Sequence, residues 1–257
     1  ARSAKAMAAV PIDELEMLVK TTGFFRNKAK NVKAASELIQ GRHKSKVPDT
    51  MEALLELPGV VEELELGSAL GVCALHGGGL ERATEVVARE VADRTGASYY
   101  GVIQPEGTRH HLSSTRFDPD ASPRLAAFLE RIQTIVSIHG YGRDDDFFAV
   151  LLGGTNRPFA HHLAGHLRGT LPDDYRVVDD LAEMPSRLRG VHPRNPVNRP
   201  RHGGVQVELP PSIRWNLDAH DWSDRDGTPR APQLDDLIDG LAAGAIGWDD
   251  VACGDVA

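Results

Sequence analysis

The sequence has little cysteine, few aromatic residues and no long apolar run, and each shortage narrows what the chain can be. Its two cysteines, Cys73 and Cys253, cannot build a disulfide framework or a four-thiolate metal site. A metal would therefore need His and carboxylate ligands. No stretch reaches the roughly 18 apolar residues of a membrane helix, and no signal sequence opens the chain. A cytoplasmic protein without a membrane span is the expectation.

The 257 residues are 41% hydrophobic and 26% charged, as in ordinary globular domains, and the net charge is −8. The charge is uneven, because residues 1–59 contain ten Lys or Arg against seven Asp or Glu, whereas residues 217–257 contain two against ten. An acidic whole argues against nucleic acid as the main partner. Nothing in the sequence indicates an oligomeric state.

The hydrophobic pattern changes near residue 60. Before it, apolar residues follow helical spacing, and Asp49 or Thr50 could cap a helix that ends at Pro58-Gly59. After it, short apolar strands alternate with helices, which predicts an α/β fold with a mixed, largely parallel sheet flanked by helices. Strands are predicted at 69–75, 98–104, 134–138, 150–152 and 205–209, and helices at 80–95, 123–131, 159–168 and 233–243.

This pattern predicts three parts: a short all-helical segment at 1–60, an α/β domain at 61–247 and an acidic tail at 248–257. Two Pro- and Gly-rich connections within the second part, at 104–123 and 185–204, are long for structureless loops. Because long loops in compact domains are often functional, both are candidate walls of a site.

Two predicted strands end in a histidine that is followed by glycine. His76 precedes three glycines and Glu81, and His139 follows a β-branched strand. If the strands are parallel, both imidazoles lie at the carboxyl edge of the sheet, where ligands of open α/β sheets bind. Two imidazoles and one carboxylate with an open fourth position define a catalytic zinc site, which His76, Glu81 and His139 could supply. Glu208, at the end of another strand, is the candidate proton shuttle.

Simpler interpretations of these residues stay open. An acid in the first turn of a helix is common because it complements the helix dipole, so Glu81 could have that role alone. A single His after a strand is often solvated, and Glu208 could be an exposed strand carboxylate. Residues 189–202 contain four arginines, Arg189, Arg194, Arg199 and Arg201, which could bind carboxylates of an anionic substrate or balance nearby acids.

Five motifs in order resemble the poly-γ-glutamate hydrolase family over about residues 61–247. They are His76-Gly-Gly-Gly-Leu-Glu81, Ser137-Ile-His-Gly-Tyr141, Leu152-Gly-Gly-Thr-Asn156, Asn195-Pro-Val-Asn-Arg199 and Gly204-Val-Gln-Val-Glu-Leu209.

The resemblance implies a zinc-carboxypeptidase-like fold, one Zn²⁺ and cleavage of the γ-amide chain of poly-γ-glutamate, an anionic polymer. It implies His76, Glu81 and His139 as metal ligands and Glu208 as general base. It also implies that substrate is bound by Asn198, Arg199, Asn156 and Tyr141. Members of the family are associated with phage and with bacteria that meet this polymer.

The first 60 residues are similar to the interior of endonuclease III, a DNA glycosylase. The similarity is carried by residues 21–31, 47–48 and 54–60, where Leu54-Leu-Glu-Leu-Pro-Gly-Val60 begins a helix-hairpin-helix motif. The pattern stops there, without the second hairpin glycine, the reactive lysine, the aspartate and the four cysteines of a glycosylase. We therefore expect a segment that lacks glycosylase activity and is marginally ordered or docked on the hydrolase.

The leading hypothesis is a zinc amidohydrolase acting on γ-glutamyl amides. One alternative is a zinc amidase or carboxypeptidase acting on another acidic peptide. A DNA-repair or DNA-binding protein and a module that binds the polymer without cutting it are alternatives of other classes.

Overall fold

A computed structural model describes residues 3–20, 25–44, 49–106, 110–142 and 146–254, with side chains as far as Trp248. The first part is all helical, as predicted, with helices α1 (Ala4–Ala9), α2 (Ile12–Leu18), α3 (Phe25–Arg42) and α4 (Met51–Leu55). Thr50 caps α4, since its side chain accepts a hydrogen bond from the Ala53 amide at 3.3 Å. Residues 21–24 and 47–48 of the endonuclease-like motifs lie outside the described residues.

A seven-stranded sheet forms the centre of the fold, in the order β1-β3-β2-β4-β7-β5-β6. The four central strands β3, β2, β4 and β7 run parallel, whereas β1 and β5 are antiparallel to their neighbours β3 and β7. The predicted mixed, largely parallel sheet is therefore confirmed. Its strands are β1 (Val61–Glu65), β2 (Leu70–Gly78), β3 (Ser98–Gln104), β4 (Thr134–Gly140), β5 (Ala149–Leu152), β6 (Arg176–Val178) and β7 (Gly204–Leu209).

Helices cover both faces of the sheet, which is why the central strands are buried along nearly their whole length. Residues of α5, α7 and α9 pack on one face in a core that includes Val91, Phe159 and Leu237. Leu125 and Phe128 of α6 pack on the other face. The helices are α5 (Thr84–Thr95), α6 (Pro123–Arg131), α7 (Arg157–Thr170), α8 (Pro211–Arg214) and α9 (Pro232–Gly254), and a small hairpin joins β8 (Trp215–Asn216) to β9 (Asp221–Trp222).

The first part docks on the α6 face of the sheet. Ile39 of α3 and Met51 and Leu54 of α4 are at most 3% exposed and belong to the same apolar cluster as Leu75 and Tyr100 of the sheet. Lys28 of α3 also forms an ion pair with Glu106, beyond the end of β3. Of the two expectations for this segment, docking is the one that the described helices fulfil.

Four features differ from the sequence prediction. The acidic edge strand β1 was missed because charges occupy most of its positions, and β6 was missed because it has only three residues. The helix predicted from residue 80 begins at Thr84, after Ala83 adopts a left-handed backbone with φ 66°. The helix predicted at 233–243 continues to Gly254, so it enters the predicted acidic tail. Among the described residues, no helix has the length and apolar character to cross a membrane.

Candidate metal centre and active site

The parallel strands bring the predicted histidines and Glu208 to one edge of the sheet. His76 and His139 lie near the carboxyl ends of β2 and β4, and Glu208 lies beside His139 in the β4–β7 register. The β2–β3 register shifts between Ala74 and Gly77, so His76 sits within an irregularity of its strand. Irregularities of this kind redirect side chains and are common next to active sites.

Glu81 lies between the two imidazoles. Its Oε1 is 2.8 Å from His76 Nδ1, and its Oε2 is 3.4 Å from His139 Nδ1 and accepts the Gly140 amide at 2.9 Å. The prediction that Glu81 belongs to the first turn of a helix is wrong, because α5 begins at Thr84. Glu81 is in the glycine turn before that helix, where its amide bonds to the His76 carbonyl at 2.9 Å. The helix-dipole explanation therefore does not account for it.

Both imidazoles are oriented by partners on the side away from Glu81. His76 Nε2 is 2.8 Å from the Leu112 carbonyl, and His139 Nε2 is 3.0 Å from Ser137 Oγ. A carbonyl only accepts, so His76 Nε2 donates to Leu112, and the 2.8 Å contact of Nδ1 with the Glu81 carboxylate is a hydrogen bond that also needs a proton between the two atoms. Metal-ligating histidines are held by such outer hydrogen bonds. The donor set of two imidazoles and one carboxylate fits Zn²⁺.

A third imidazole reaches the same place. Ligand atoms of His76, Glu81 and His111 all lie within 4.8 Å of one another, and the His76 and His111 rings are 5.0 Å apart. The predicted set differs by having His139 in place of His111. His139 is 3% exposed and fixed on a strand, whereas His111 is exposed on a loop. Sequence reasoning missed His111 because no strand leads to it, although its loop, 104–123, was a predicted site wall.

Glu208 is 4% exposed, which excludes the alternative of an exposed strand carboxylate. Its Oε1 accepts a hydrogen bond from Gln206 Nε2 at 2.8 Å, and Gln206 is in turn held by Asn195 at 2.8 Å. Burial raises the pKa of Glu208 to about 7, against the opposing effect of nearby His139. A carboxyl group with this pKa can both accept and donate a proton near neutral pH.

The charges of Glu81 and His76 shift each other's pKa in the direction opposite to the effect of burial. Burial by itself raises the pKa of Glu81, but the neighbouring His76 and His139 outweigh it and hold this pKa well below its usual value. For His76, burial lowers the pKa, but the charge and hydrogen bond of Glu81 outweigh burial and raise it. Glu81 is consequently ionised, as a metal ligand must be.

A cleft of about 650 Å³ opens above these residues. Both predicted wall loops line it, the first through Ser113 and Thr115 and the second through Leu188 and His192. Arg187, also from the second loop, is exposed and is the arginine among the residues that line this cleft. The site therefore combines buried titratable groups with a cation at its rim.

The four residues implied to bind substrate do not line this cleft in the described part of the chain. Asn198 uses its side chain within the protein, because Oδ1 accepts from Thr155 and Nδ2 donates to the Gly190 and His192 carbonyls. Asn156 caps α7 through the Phe159 amide at 3.1 Å. Its own amide bonds to the Gly204 carbonyl, at the start of β7 and four residues, roughly 13 Å, from Glu208.

Tyr141 is 7% exposed, and its hydroxyl donates toward the carbonyls of Asp146 and Ala149. Arg199 is exposed and lines a separate groove. The implied substrate-binding roles of Asn198, Arg199, Asn156 and Tyr141 therefore stay predictions.

Arg214 is a buried residue of the site that sequence reasoning missed. Arg214 is 4% exposed, and its guanidinium donates to the carbonyls of Arg82 at 3.1 Å and Tyr141 at 2.9 Å. Arg82 follows Glu81 in the chain, and Tyr141 follows Gly140, whose amide donates to Glu81. Burial lowers the pKa of Arg214. Its position could not be foreseen, because α8 is a single short turn without a hydrophobic pattern.

Comparison with known proteins agrees with this geometry. The family model for poly-gamma-glutamate hydrolase matches residues 56–234. The UPF0714 protein YndL of Bacillus subtilis is 32% identical over 161 residues, which are 62% of this chain and 60% of that protein. The chain thus spans about 60% of the length of this curated relative.

Two solved structures share the fold. A bacteriophage poly-gamma-glutamate hydrolase superposes with a TM-score of 0.65 at 25% identity, covering 80% of this chain and 99% of that one. Zinc-free YndL superposes with a TM-score of 0.64 at 24% identity, covering 78% and 97%. The similarity to endonuclease III is also confirmed and is partial: the Synechocystis protein is 43% identical over 74 residues, 28% of this chain and 34% of that protein.

Proposed function

Since the chain belongs to the poly-gamma-glutamate hydrolase family, we propose that it hydrolyses the γ-amide bonds of poly-γ-glutamate in the cleft above Glu81 and Glu208. The observation that carries the proposal is the Glu81 carboxylate between two oriented imidazoles, next to a buried carboxyl group with a raised pKa. Perturbed titratable groups that converge in a cleft are typical of active sites.

We assign the metal site to His76, Glu81 and His139, with Zn²⁺ as the metal. The donor set supports zinc, and the relative YndL has been solved in a form described as zinc-free. Bound there, zinc would polarise the amide carbonyl and acidify a water molecule. We prefer His139 to His111 as the third ligand, because Ser137 already orients His139.

Glu208 is the proton shuttle in this proposal. It accepts a proton from the attacking water and then donates that proton to the nitrogen of the leaving amine, so the amide C–N bond breaks without a charged amide leaving group. Gln206 and Asn195 hold the carboxyl group in place through their hydrogen bonds. Because burial raises the pKa of Glu208 to about 7, both transfers are accessible at neutral pH.

Arg187 binds a free carboxylate of the substrate at the rim of the cleft. It is exposed there, and none of the ion pairs formed by the described residues includes it. An arginine can hold a carboxylate through two parallel hydrogen bonds. Each γ-glutamyl unit of the polymer carries such a group, which explains why a cation at this rim suits an anionic chain.

The test is a chain-length assay on poly-γ-glutamate with purified protein. We expect wild type to shorten the polymer, a chelator to abolish the activity, and added zinc to restore it. Glu208→Gln and His139→Ala should each lower kcat by about 100-fold or more. The matched control is His202→Ala, which removes an exposed imidazole outside the cleft and should act like wild type.

Cleavage that persists unchanged in Glu208→Gln would contradict the assigned mechanism. Cleavage of a different acidic peptide, with the polymer left intact, would favour the amidase or carboxypeptidase alternative. Base excision on duplex DNA would favour the DNA-repair alternative, for which the comparison covers only a third of the relative.

A further inference from the structure

The arginines of this chain divide into two groups by their contacts. Most form ion pairs with acids or donate hydrogen bonds to backbone carbonyls, such as Arg82 with Glu106 and Asp224, or Arg157 with the Leu152 carbonyl. Five have neither kind of side-chain partner in the described part of the chain. These five are Arg116, Arg187, Arg194, Arg199 and Arg201, and all of them lie in the two loops that form the walls of the cleft.

Three of these five converge on one groove outside the cleft. Arg116, Arg194 and Arg199 line a groove of about 250 Å³ together with Thr115 and with the beginning of α4. We call it the arginine groove and define it by Thr115, Arg116, Arg194 and Arg199. All three of its arginines are exposed. Cations without partners are available to an anionic ligand, since no internal ion pair must first be broken.

The arginine groove borders the catalytic cleft at two places. Thr115 lines both cavities, so the segment Ser114–Arg116 has the cleft on one side and the groove on the other. Arg194 lines the groove, and the next residue, Asn195, lines the cleft. The two cavities are therefore neighbours, and a bound chain that extends past either of these segments would reach the groove.

Three acidic side chains share the groove with its three arginines, so the formal charge of the lining is balanced although no ion pair in the described part of the chain joins them. Asp49, Glu52 and Asp118 also line it, and all three are exposed. None of the ion pairs within the described residues joins one of them to a groove arginine, and Asp118 instead accepts the Asp120 amide at 3.2 Å. Exposed acids are hydrated and screened by salt, so they weaken the field of the groove but leave the guanidinium donors available.

Resting on the proposed function, we propose that the arginine groove is an extended subsite that binds carboxylates of γ-glutamyl units beyond the cleaved amide. Successive units carry one carboxylate each, and the three arginines offer one binding position each along the path out of the cleft. The groove makes the enzyme favour long polymers over short oligomers. Asp49 and Glu52 belong to the endonuclease-like segment, so that segment contributes one wall of this subsite.

The experiment compares cleavage of long poly-γ-glutamate with that of a short γ-glutamyl oligomer. In R116Q/R194Q/R199Q, the ratio of kcat/KM for long chains to kcat/KM for the oligomer should fall by about tenfold, since exposed ion pairs each contribute a factor of a few. The matched control is R26Q/R42Q/R124Q, which removes the same charge from side chains 76%, 68% and 59% exposed elsewhere. The control should keep the wild-type ratio.

A binding measurement separates this proposal from the catalytic one. In a Glu208→Gln background, the affinity for long poly-γ-glutamate should fall by about tenfold with the groove variant and should weaken with salt, even if no cleavage is ever seen. Equal affinity of the groove and control variants would overturn the proposal. Duplex DNA that competes as well as the polymer would overturn the assignment to γ-glutamyl chains, whereas polymer binding without cleavage by wild type would refute only the proposed function.

Discussion

The surroundings of Glu208 destabilise the ionised form of its carboxyl group. It is 4% exposed and next to the ionised Glu81, so both burial and a like charge favour the protonated form, while His139 and Gln206 favour the ionised one. The balance raises its pKa to about 7 from an ordinary value of 4.5. At the scale of one residue, the proposed proton-shuttle role of Glu208 and the stability of the fold therefore conflict, because the ionised form that this role needs is the one that the fold disfavours.

The conflict predicts a pH-dependent gain of stability in Glu208→Gln. Between pH 4.5 and 7 the unfolded chain releases the Glu208 proton before the folded protein does, so ionisation favours unfolding and stability falls as pH rises. The loss is complete above the folded pKa and amounts to about 3 kcal/mol by linkage. Glutamine at this position cannot ionise, so the variant does not lose this stability as the pH rises. Denaturant unfolding of metal-free protein at pH 5 and pH 8 should show the variant gaining about this much relative to wild type.

Comparing the two pH values removes effects that the variant and wild type share, including the ionisation of Glu81. The same stability difference between variant and wild type at both pH values would mean that Glu208 titrates normally in the fold. The loss of activity in this variant is expected at both pH values, so stability and catalysis should change in opposite directions above pH 7.

The glycine turn between β2 and α5 positions two of the three proposed ligands. Gly78 has φ 70°, and a Cβ added there would lie 2.2 Å from the Gln104 carbonyl oxygen. Glycine is needed because it alone combines this left-handed backbone with such close approach to β3. The turn then directs Glu81 back to His76, which the sequence prediction placed correctly as a pair even though it put Glu81 within the helix.

Gly78→Ala should destabilise the fold by more than about 2 kcal/mol, since the left-handed backbone costs about 1–2 kcal/mol and the clash with the Gln104 carbonyl adds to it. Activity should fall as well, because the turn that holds Glu81 must shift. The control is Gly165→Ala in α7, where an added Cβ meets nothing within 4 Å. It should stabilise the protein by about 0.5–1 kcal/mol. Thermal unfolding should show a lower midpoint than wild type for Gly78→Ala and a higher midpoint for Gly165→Ala.

At the scale of elements, hydrophobic runs and strand-end histidines were sufficient to predict the central strands β2, β3, β4 and β7. Their side chains are buried on both faces, so each strand is recognisable without its neighbours. The third imidazole near the metal site, His111, and the buried cation Arg214 were not predictable in this way. Both depend on contacts between loops and short turns far apart in sequence, and no local pattern encodes such contacts.

At the scale of the whole molecule, the sequence pattern predicts a domain boundary near residue 60. This boundary stays a prediction. The apolar packing, by contrast, crosses this predicted boundary. Leu57 of the first part is 2% exposed and shares an apolar cluster with Leu112 and Phe117, which flank the part of the 104–123 loop that lines the cleft. An endonuclease-like segment was expected to keep apolar faces without partners, and the α6 face of the sheet supplies those partners. The pairing of the first 60 residues with the α6 face of the sheet cannot be inferred from the sequence pattern of either part alone.

We therefore expect the docked helices and the hydrolase fold to unfold together. Leu54 of α4 is 1% exposed in the shared cluster, so Leu54→Ala removes buried methyl groups and should cost about 2–5 kcal/mol. The matched control, Met17→Ala, shortens a side chain of the same segment that is 68% exposed and should change stability by less than about 0.5 kcal/mol. If Leu54→Ala lowers the unfolding midpoint of the near-ultraviolet signal, to which Trp215, Trp222 and Trp248 contribute from beyond residue 60, the two parts form one cooperative unit. An unchanged midpoint for the sheet, with only helical signal lost, would instead establish the first 60 residues as an independent appendage.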